Sequence, residues 1–410
     1  MNTKTVAVIG LGYIGLPTAV ALAGAGHTVK GMDTNPSHVD AVNAGKVPFL
    51  EPGLDEALGE VHSRGLLSAS LQTGPAEVFI VAVPTPFKGD HQADLSYVMA
   101  AADEISPYVA KGALVVLEST SPPGTTQALA ARIEANRPEL RGELLFAHCP
   151  ERVLPGKIMV EIFANDRIIG GLTPQAAQEA AQLYGTFCRG QIRLTDAKTA
   201  ELSKLAENSF RDVNIAFANE LAKISESLGI DVWELIEQAN LHPRVNILRP
   251  GPGVGGHCIA VDPWFIVDAA PRLSRLIRTA REVNDSRPDD VVAQARELLT
   301  QSGWSQGQPV RIAALGLAFK PDVDDLRSSP AITVAQKLAE IPGVEVLCCE
   351  PNVQALPAGL QELANVSLAN LEEATGAAEL VVGLVAHRQF KELDPATITA
   401  PVLDTCGIWR

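Results

Sequence analysis

Gly10-Leu11-Gly12-Tyr13-Ile14-Gly15 is the stretch that most restricts the fold. It stands between a β-rich run, Thr5–Ile9, and an apolar helical run, Pro17–Ala25, so the glycines occupy a strand–turn–helix junction. At such a junction the first glycine permits the tight turn and the second lets a pyrophosphate reach the backbone. The third, Gly15, allows close helix–strand packing, and the helix start supplies N–H groups and a positive dipole end. Asp33 closes the next expected strand, His27–Met32, at the spacing for an acid that binds a ribose 2′-hydroxyl. A carboxylate there disfavours a 2′-phosphate, so NAD is expected rather than NADP, with FAD the remaining alternative.

The same region has a competing reading. Val6 to Gly26 is an uncharged run preceded by Lys4, superficially a signal peptide or membrane span. Its glycines and Pro17 fall where a strand–turn–helix needs them, which favours a protein without a membrane segment, located in the cytoplasm. The six cysteines lie at 149, 188, 258, 348, 349 and 406 without CxxC or other metal-ligand spacing. Reduced thiols and no metal are therefore expected. A formal net charge of −15 argues against a nucleic-acid partner, because binding a polyanion needs a basic footprint.

Strand-like runs continue at Val78–Val83, Ala113–Glu118 and Leu144–Ala147, separated by helical stretches such as Tyr97–Val109. This alternation predicts a parallel α/β sheet. From Thr199 to Leu228 there is no Gly or Pro and the apolar period is helical, which predicts one long helix. A second helix is expected over Val232–Ala239 and more helix over Arg272–Asn284. After a linker at Ser302–Gln308, strands are expected at Arg311–Leu315, Val344–Cys349, Glu379–Leu384 and Val402–Asp404. The architecture read from this is α/β: two Rossmann-like doubly wound domains, 1–195 and 302–410, joined by a central helical domain, 196–301. The long helix also offers a symmetric contact, so a homodimer is the expected assembly.

Chemistry concentrates in three places. Gly251-Pro-Gly-Val-Gly-Gly-His-Cys258 is irregular, so its thiol is more apt to line a cleft than to fill a core. An inert buried cysteine is still the commoner fate, and the loop alone leaves that open. On the long helix Lys204, Asn208 and Arg211 fall at i, i+4 and i+7 and share a face. A solvated polar face is the ordinary explanation, yet a Lys–Asn pair suits stabilisation of an oxyanion. Finally Cys149-Pro-Glu151-Arg152 and Gly316–Arg327 follow strands; ordinary loops with exposed charges are the plain explanation, yet their basic residues suit a nucleotide diphosphate.

Taken in order, GLGYIG, VPTPF, ESTSPPG, CPERVLPG, KLAENSFRDVNIAFANE, GPGVGGHC and GLAFKPDVDDLRSSP resemble the UDP-glucose/GDP-mannose dehydrogenase family across nearly the whole chain. The resemblance implies a two-step oxidation of a sugar CH₂OH to a carboxylate with two NAD⁺ per turnover, through a thiohemiacetal and a thioester on Cys258. It implies Lys204 as acid/base and oxyanion stabiliser with Asn208 as partner. Asp262 and Glu151 become the carboxylates that handle protons and activate water, and Thr120 a residue holding water and cofactor. Gly10, Gly12, Tyr13, Ile14, Gly15, Asp33, Thr85, Thr120 and Arg327 become cofactor contacts. Arg152, Val153, Lys204, Asn208, Arg211, His242, Arg244, Gly255, Phe319 and Lys320 become substrate contacts, Arg244 reaching from a neighbouring subunit.

UDP-glucose dehydrogenases typically carry a lysine before the aspartate that follows the nucleophile, whereas here Val261 precedes Asp262. The Gly-Gly-His-Cys form is similar to the N-acetylhexosamine branch. The implied substrate is UDP-N-acetyl-D-mannosamine, feeding bacterial surface polysaccharide, with UDP-N-acetylglucosamine and UDP-glucose as alternatives. A non-catalytic NAD-binding scaffold is the reading from another class, and retention of Cys258, Lys204 and Asp262 disfavours it.

Overall fold

A computed structural model of the chain describes residues 3–89, 91–256 and 258–410. The chain folds as two compact units, Met1–Glu207 and Asn208–Arg410, whose boundary falls inside the helix Ala197–Leu228.

The first unit contains β1 (Thr5–Ile9), β2 (Thr28–Met32), β3 (Leu67–Ser70), β4 (Val78–Val81), β5 (Phe87–Lys88), β6 (Gln92–Ala93), β7 (Leu114–Leu117), β8 (Leu145–His148), β9 (Arg167–Gly171) and β10 (Ile192–Asp196). Eight of these form one sheet in the order β10-β9-β8-β7-β4-β1-β2-β3, while β5 and β6 make a separate antiparallel pair. Neighbours in the large sheet run parallel except β8 with β9. Strands covered on both faces must be apolar throughout, and β4 and β7 are buried at every position. The uncharged run near the N-terminus is thereby explained. Its first part is β1, and its helix, Gly15–Gly24, is buried from Gly15 to Ala23. Among the described residues no helix is long and apolar enough to cross a membrane.

Strand order reverses between β1 and β4, and ligands of open α/β sheets bind outside the carboxyl ends of strands at such a switch. The glycine turn Gly10–Gly15 and the segment Ala82–Pro84 leave the sheet there.

The second unit begins with the rest of the long helix, followed by the helices Val232–Asn240, Asp262–Ala269 and Arg275–Gln301. Its strands β11 (Val310–Leu315), β12 (Val344–Cys349), β13 (Val366–Leu368), β14 (Leu380–Gly383) and β15 (Val402–Asp404) form an all-parallel sheet ordered β13-β12-β11-β14-β15. The helix expected to stop at Asn284 runs on to Gln301 through the buried Pro288. Proline removes only one helical hydrogen bond, and burial of Val291, Val292, Ala295 and Leu299 against the sheet core outweighs that loss.

The two sheets begin alike. Gly10 N–H donates to Met32 O and Gly316 N–H to Cys349 O, both at 2.8 Å, with φ of +95° and +97°. Leu11 N–H then donates to Asp33 Oδ2, as Leu317 N–H does to Glu350 Oε2, again both at 2.8 Å. Each unit thus uses a strand, a glycine and an acid just past the end of the neighbouring strand.

Candidate active site

A cavity of about 600 Å³ opens at the switch point of the first unit, lined among others by Gly10, Gly12, Tyr13, Ile14, Asp33 and Val83. The three glycines do different things there. A Cβ on Gly10 would meet Ala82 O at 2.4 Å and one on Gly15 would meet Gly10 O at 1.9 Å, so both are needed for backbone packing. A Cβ on Gly12 would meet nothing within 4 Å, which leaves room for a phosphate to approach the backbone. Asp33 accepts from Leu11 N–H and Asn35 N–H at 2.8 Å each and has His38 Nδ1 at 3.6 Å. An ionised carboxylate has about four lone-pair sites, so acceptor capacity remains for ribose hydroxyls. These residues fit a dinucleotide. Thr85 Oγ1 donates to Thr120 O at 2.6 Å, tying the loop after β4 to the loop after β7.

Beside this lies a buried ionisable cluster. Glu151 Oε2 accepts from Arg167 at 3.0 Å and Oε1 from Arg152 N–H at 2.7 Å. Glu118 accepts from Tyr184 Oη at 2.7 Å and Thr18 Oγ1 at 3.1 Å. Burial, reinforced by the charge of Glu151, pushes the Glu118 carboxyl up to about 7. Arg152 also pairs with Glu207 at 3.2 Å, near the point where the long helix passes into the second unit. Val153 and Lys204 are half-buried.

In the second unit Cys258 is exposed, while the other five cysteines are buried or half-buried. Burial pushes the thiols of Cys149, Cys348 and Cys349 up to about 12 and raises that of Cys406, so these four stay protonated and unreactive. Cys258 O accepts from Val261 N–H at 3.0 Å and from Asp262 N–H at 2.8 Å, a single turn that opens the helix Asp262–Ala269. Asp262 is buried, and Asn208 Nδ2 donates to its Oδ2 at 2.5 Å. The loop before Cys258 lies flat on the segment 316–330. A Cβ on Gly255 would meet Ser328 O at 2.6 Å, and one on Gly256 would meet the Phe319 ring at 3.1 Å. The Gly255–Gly256 stretch and the segment bearing Phe319 are therefore in direct contact.

Arg211, His242 and Arg244 are exposed, with Arg244 N–H 3.3 Å from His242 Nδ1. Arg327, expected at the cofactor, stands in the second unit and pairs with Asp325 at 2.6 and 2.8 Å. His257 of the GPGVGGHC motif lies outside the described residues. Two groups carry no sequence signature of their own: the Glu118–Tyr184–Arg167 cluster, and Asp212, Asn219, Arg281, Asn284 and Arg287 beneath Gly251. A helical period does carry one signal, since Asn208, Asp212 and Asn219 fall at i, i+4 and i+11. The acid after β12 differs from its counterpart after β2. Glu350 is buried and its Oε2 accepts from His387 Nε2 at 2.9 Å, so it is not presented to a ribose as Asp33 is.

Family comparisons agree along the chain. Models of the UDP-glucose/GDP-mannose dehydrogenase family match with its NAD binding domain at residues 4–188, its central domain at 198–286 and its UDP binding domain at 313–410. The chain is 51% identical to an NDP-N-acetyl-D-galactosaminuronic acid dehydrogenase of Ralstonia nicotianae, covering 100% of this chain and 97% of the relative. It is 50% identical to a UDP-N-acetyl-D-mannosamine dehydrogenase of Salmonella typhi, covering 100% of both. A solved UDP-D-ManNAc dehydrogenase structure from Pyrococcus horikoshii superposes with a TM-score of 0.90 at 37% identity, covering 99% of this chain and 96% of that one.

Proposed function

This chain belongs to the UDP-glucose/GDP-mannose dehydrogenase family, an NAD-dependent oxidoreductase family, and from that premise we propose that it oxidises C6 of UDP-N-acetyl-D-mannosamine to the uronate. The observation that carries the mechanism is an exposed Cys258 one helical turn from the buried Asn208–Asp262 pair.

Gly12 and Asp33 would hold the cofactor by its pyrophosphate and ribose, and each of two NAD⁺ bound in turn would supply one hydride acceptor. Lys204 takes the proton of the C6 hydroxyl as the first hydride departs, leaving an aldehyde. The Cys258 thiolate adds to that carbonyl carbon, and Lys204 and Asn208 donate to the developing oxyanion. Loss of the second hydride from the thiohemiacetal gives a thioester. A water deprotonated by Asp262 or Glu151 attacks it, and the C–S bond breaks to release the uronate and return the thiol. Arg152, Val153, Arg211, His242, Arg244, Gly255, Phe319 and Lys320 bind the nucleotide sugar, and Tyr13, Ile14, Thr85, Thr120 and Arg327 complete the cofactor contacts. Segment 1–195 serves the cofactor, 196–301 the nucleophile and 302–410 the nucleotide, in a cytoplasmic homodimer that supplies a surface polysaccharide pathway.

The Ralstonia nicotianae relative supports a second reading, the same chemistry on a nucleoside-diphosphate N-acetyl-D-galactosamine. Comparing kcat/KM on the mannosamine, galactosamine and glucosamine derivatives and on UDP-glucose decides between them. The leading reading expects the mannosamine sugar to lead by roughly 10-fold or more, since a site built to hydrogen-bond the C2 N-acetylamino group in one orientation rejects the epimer that leaves those polar groups unpaired. Equal or higher kcat/KM for another sugar replaces it.

A further inference from the structure

The nucleophile loop starts at Gly251, and both backbone polar groups of that residue are taken by buried side chains of the second unit. Gly251 N–H donates to Asn219 Oδ1 at 2.9 Å, and Gly251 O accepts from Arg287 Nε at 3.1 Å. Asn219 and Arg287 stand on different helices, the long helix and Arg275–Gln301. They are 0% and 2% exposed.

A chain of hydrogen bonds locks Asn219 in turn. Its Nδ2 donates to Asn284 Oδ1 at 2.8 Å, and Asn284 Nδ2 donates to Asp212 Oδ1 at 2.8 Å. Asp212 Oδ1 also accepts from Arg281 at 2.6 Å. This chain fixes the amide orientation of Asn219, leaving Oδ1 as the atom offered to Gly251. Pro288 contributes as well, because it has no N–H for the carbonyl of Asn284. That carbonyl lies 3.2 Å from where a Cβ on Gly253 would stand.

Burying this many polar groups is costly unless every partner is in place, and apolar side chains would pack the same two helices at less expense. The bonds that are made select one geometry, although Asp212 Oδ2, Arg281 Nε and Arg287 Nη1 find no hydrogen-bond partner among the described residues. Here that geometry is delivered to a loop that is otherwise glycine-rich and has few side chains of its own to order it.

We propose that Asn219 and Arg287 are positioning residues for the second oxidation: by clamping Gly251 from two helices they fix where loop 251–258 begins and so where the Cys258 thiol stands. The proposal rests on Cys258 being the nucleophile. The first hydride step does not require the thiol, so misplacing the loop slows only the later step.

The test uses Asn219→Ala, Arg287→Met and Arg287→Lys in the full-length chain, with an aldehyde trap such as hydroxylamine present. Asn219→Ala and Arg287→Met are expected to keep the first hydride transfer within a few-fold of wild type. The second should slow by roughly 10- to 100-fold, the scale of an ångström misplacement, with trapped aldehyde accumulating. Arg287→Lys, which keeps a cationic donor, should recover part of the second rate. A lowered Tm with an unchanged ratio of the two rates would mean a merely structural role and overturn the proposal. Amide exchange of the wild-type enzyme supplies a readout independent of variant folding. Gly251 N–H should exchange as slowly as the long helix, and exchange at open-loop rates refutes the clamp. Cys258→Ala, run in parallel, separates the premises: full release of both hydrides by that variant removes the nucleophile reading itself.

Discussion

Asn208 donates its side-chain amide to the buried carboxylate of Asp262 at 2.5 Å. One residue sits on the long helix and the other at the first position of the helix that follows Cys258, so this bond ties the long helix to the turn that Cys258 opens. It also holds the Asp262 carboxyl one helical turn beyond Cys258. Asp262→Asn keeps a similar shape and removes the carboxyl group that would take a proton. Steady-state kinetics should show kcat lower by about 100-fold or more with KM changed little, the usual scale for a proton-transfer group. Asn208→Ala should lower kcat by a comparable factor through loss of an oxyanion donor.

The glycine turn makes a prediction that separates packing from binding. Gly15→Ala places a methyl 1.9 Å from Gly10 O and should lower Tm markedly or prevent folding. Gly12→Ala meets no protein atom, so Tm without cofactor should stay near wild type while NADH affinity falls by about 10-fold or more. Fluorescence titration with NADH and thermal melts of both variants check the pair. Equal affinity in Gly12→Ala would remove the pyrophosphate from that glycine.

Asp33 should govern cofactor choice. Asp33→Ala removes both the ribose acceptor and the repulsion of a 2′-phosphate. The ratio of kcat/KM for NAD⁺ over NADP⁺ should fall by roughly 10-fold or more. An unchanged ratio would place the adenosine ribose elsewhere.

Glu118 gives a pH dependence with a definite sign. Its carboxyl is raised from 4.5 to about 7 by burial first and the charge of Glu151 second. Between those values the folded state holds a proton that the unfolded chain has released. Stability therefore falls as pH rises through that window, by an amount on the order of 3 kcal/mol for this group alone. Glu118→Gln should flatten denaturant-derived stability between pH 4.5 and 7. A slope identical to wild type would show that Glu118 ionises normally.

Much of this was legible along the chain because it is local. The strand–glycine–helix junction and the place of Asp33 after the second strand were readable since each depends on spacing within one βαβ unit. The long helix was readable because thirty-odd residues without a breaker leave little else, and it spans Ala197–Leu228. Short strands were less visible. Leu67-Ser-Ala-Ser and Val366-Ser-Leu are brief and polar, and pairing with a neighbour makes them strands. The helix past Asn284 was hidden by Pro288, whose local penalty is overridden by packing. The buried clamp was out of reach for a different reason. Asn219 meets Asn284 across 65 positions of sequence, and no periodicity within either helix says that the two amides face each other. Glu350 shows the limit of position alone. It occupies the place of Asp33 in the second sheet, but His387, from 37 residues further on, takes its carboxylate.

The central claim is that Cys258 carries the sugar between two oxidations. The most direct test is the yield of NADH per molecule of UDP-N-acetyl-D-mannosamine consumed, under limiting sugar with an aldehyde trap, for wild type and Cys258→Ala. The account predicts about two for wild type, and about one with trapped aldehyde for the variant. Two NADH per sugar from Cys258→Ala at the wild-type rate would contradict it.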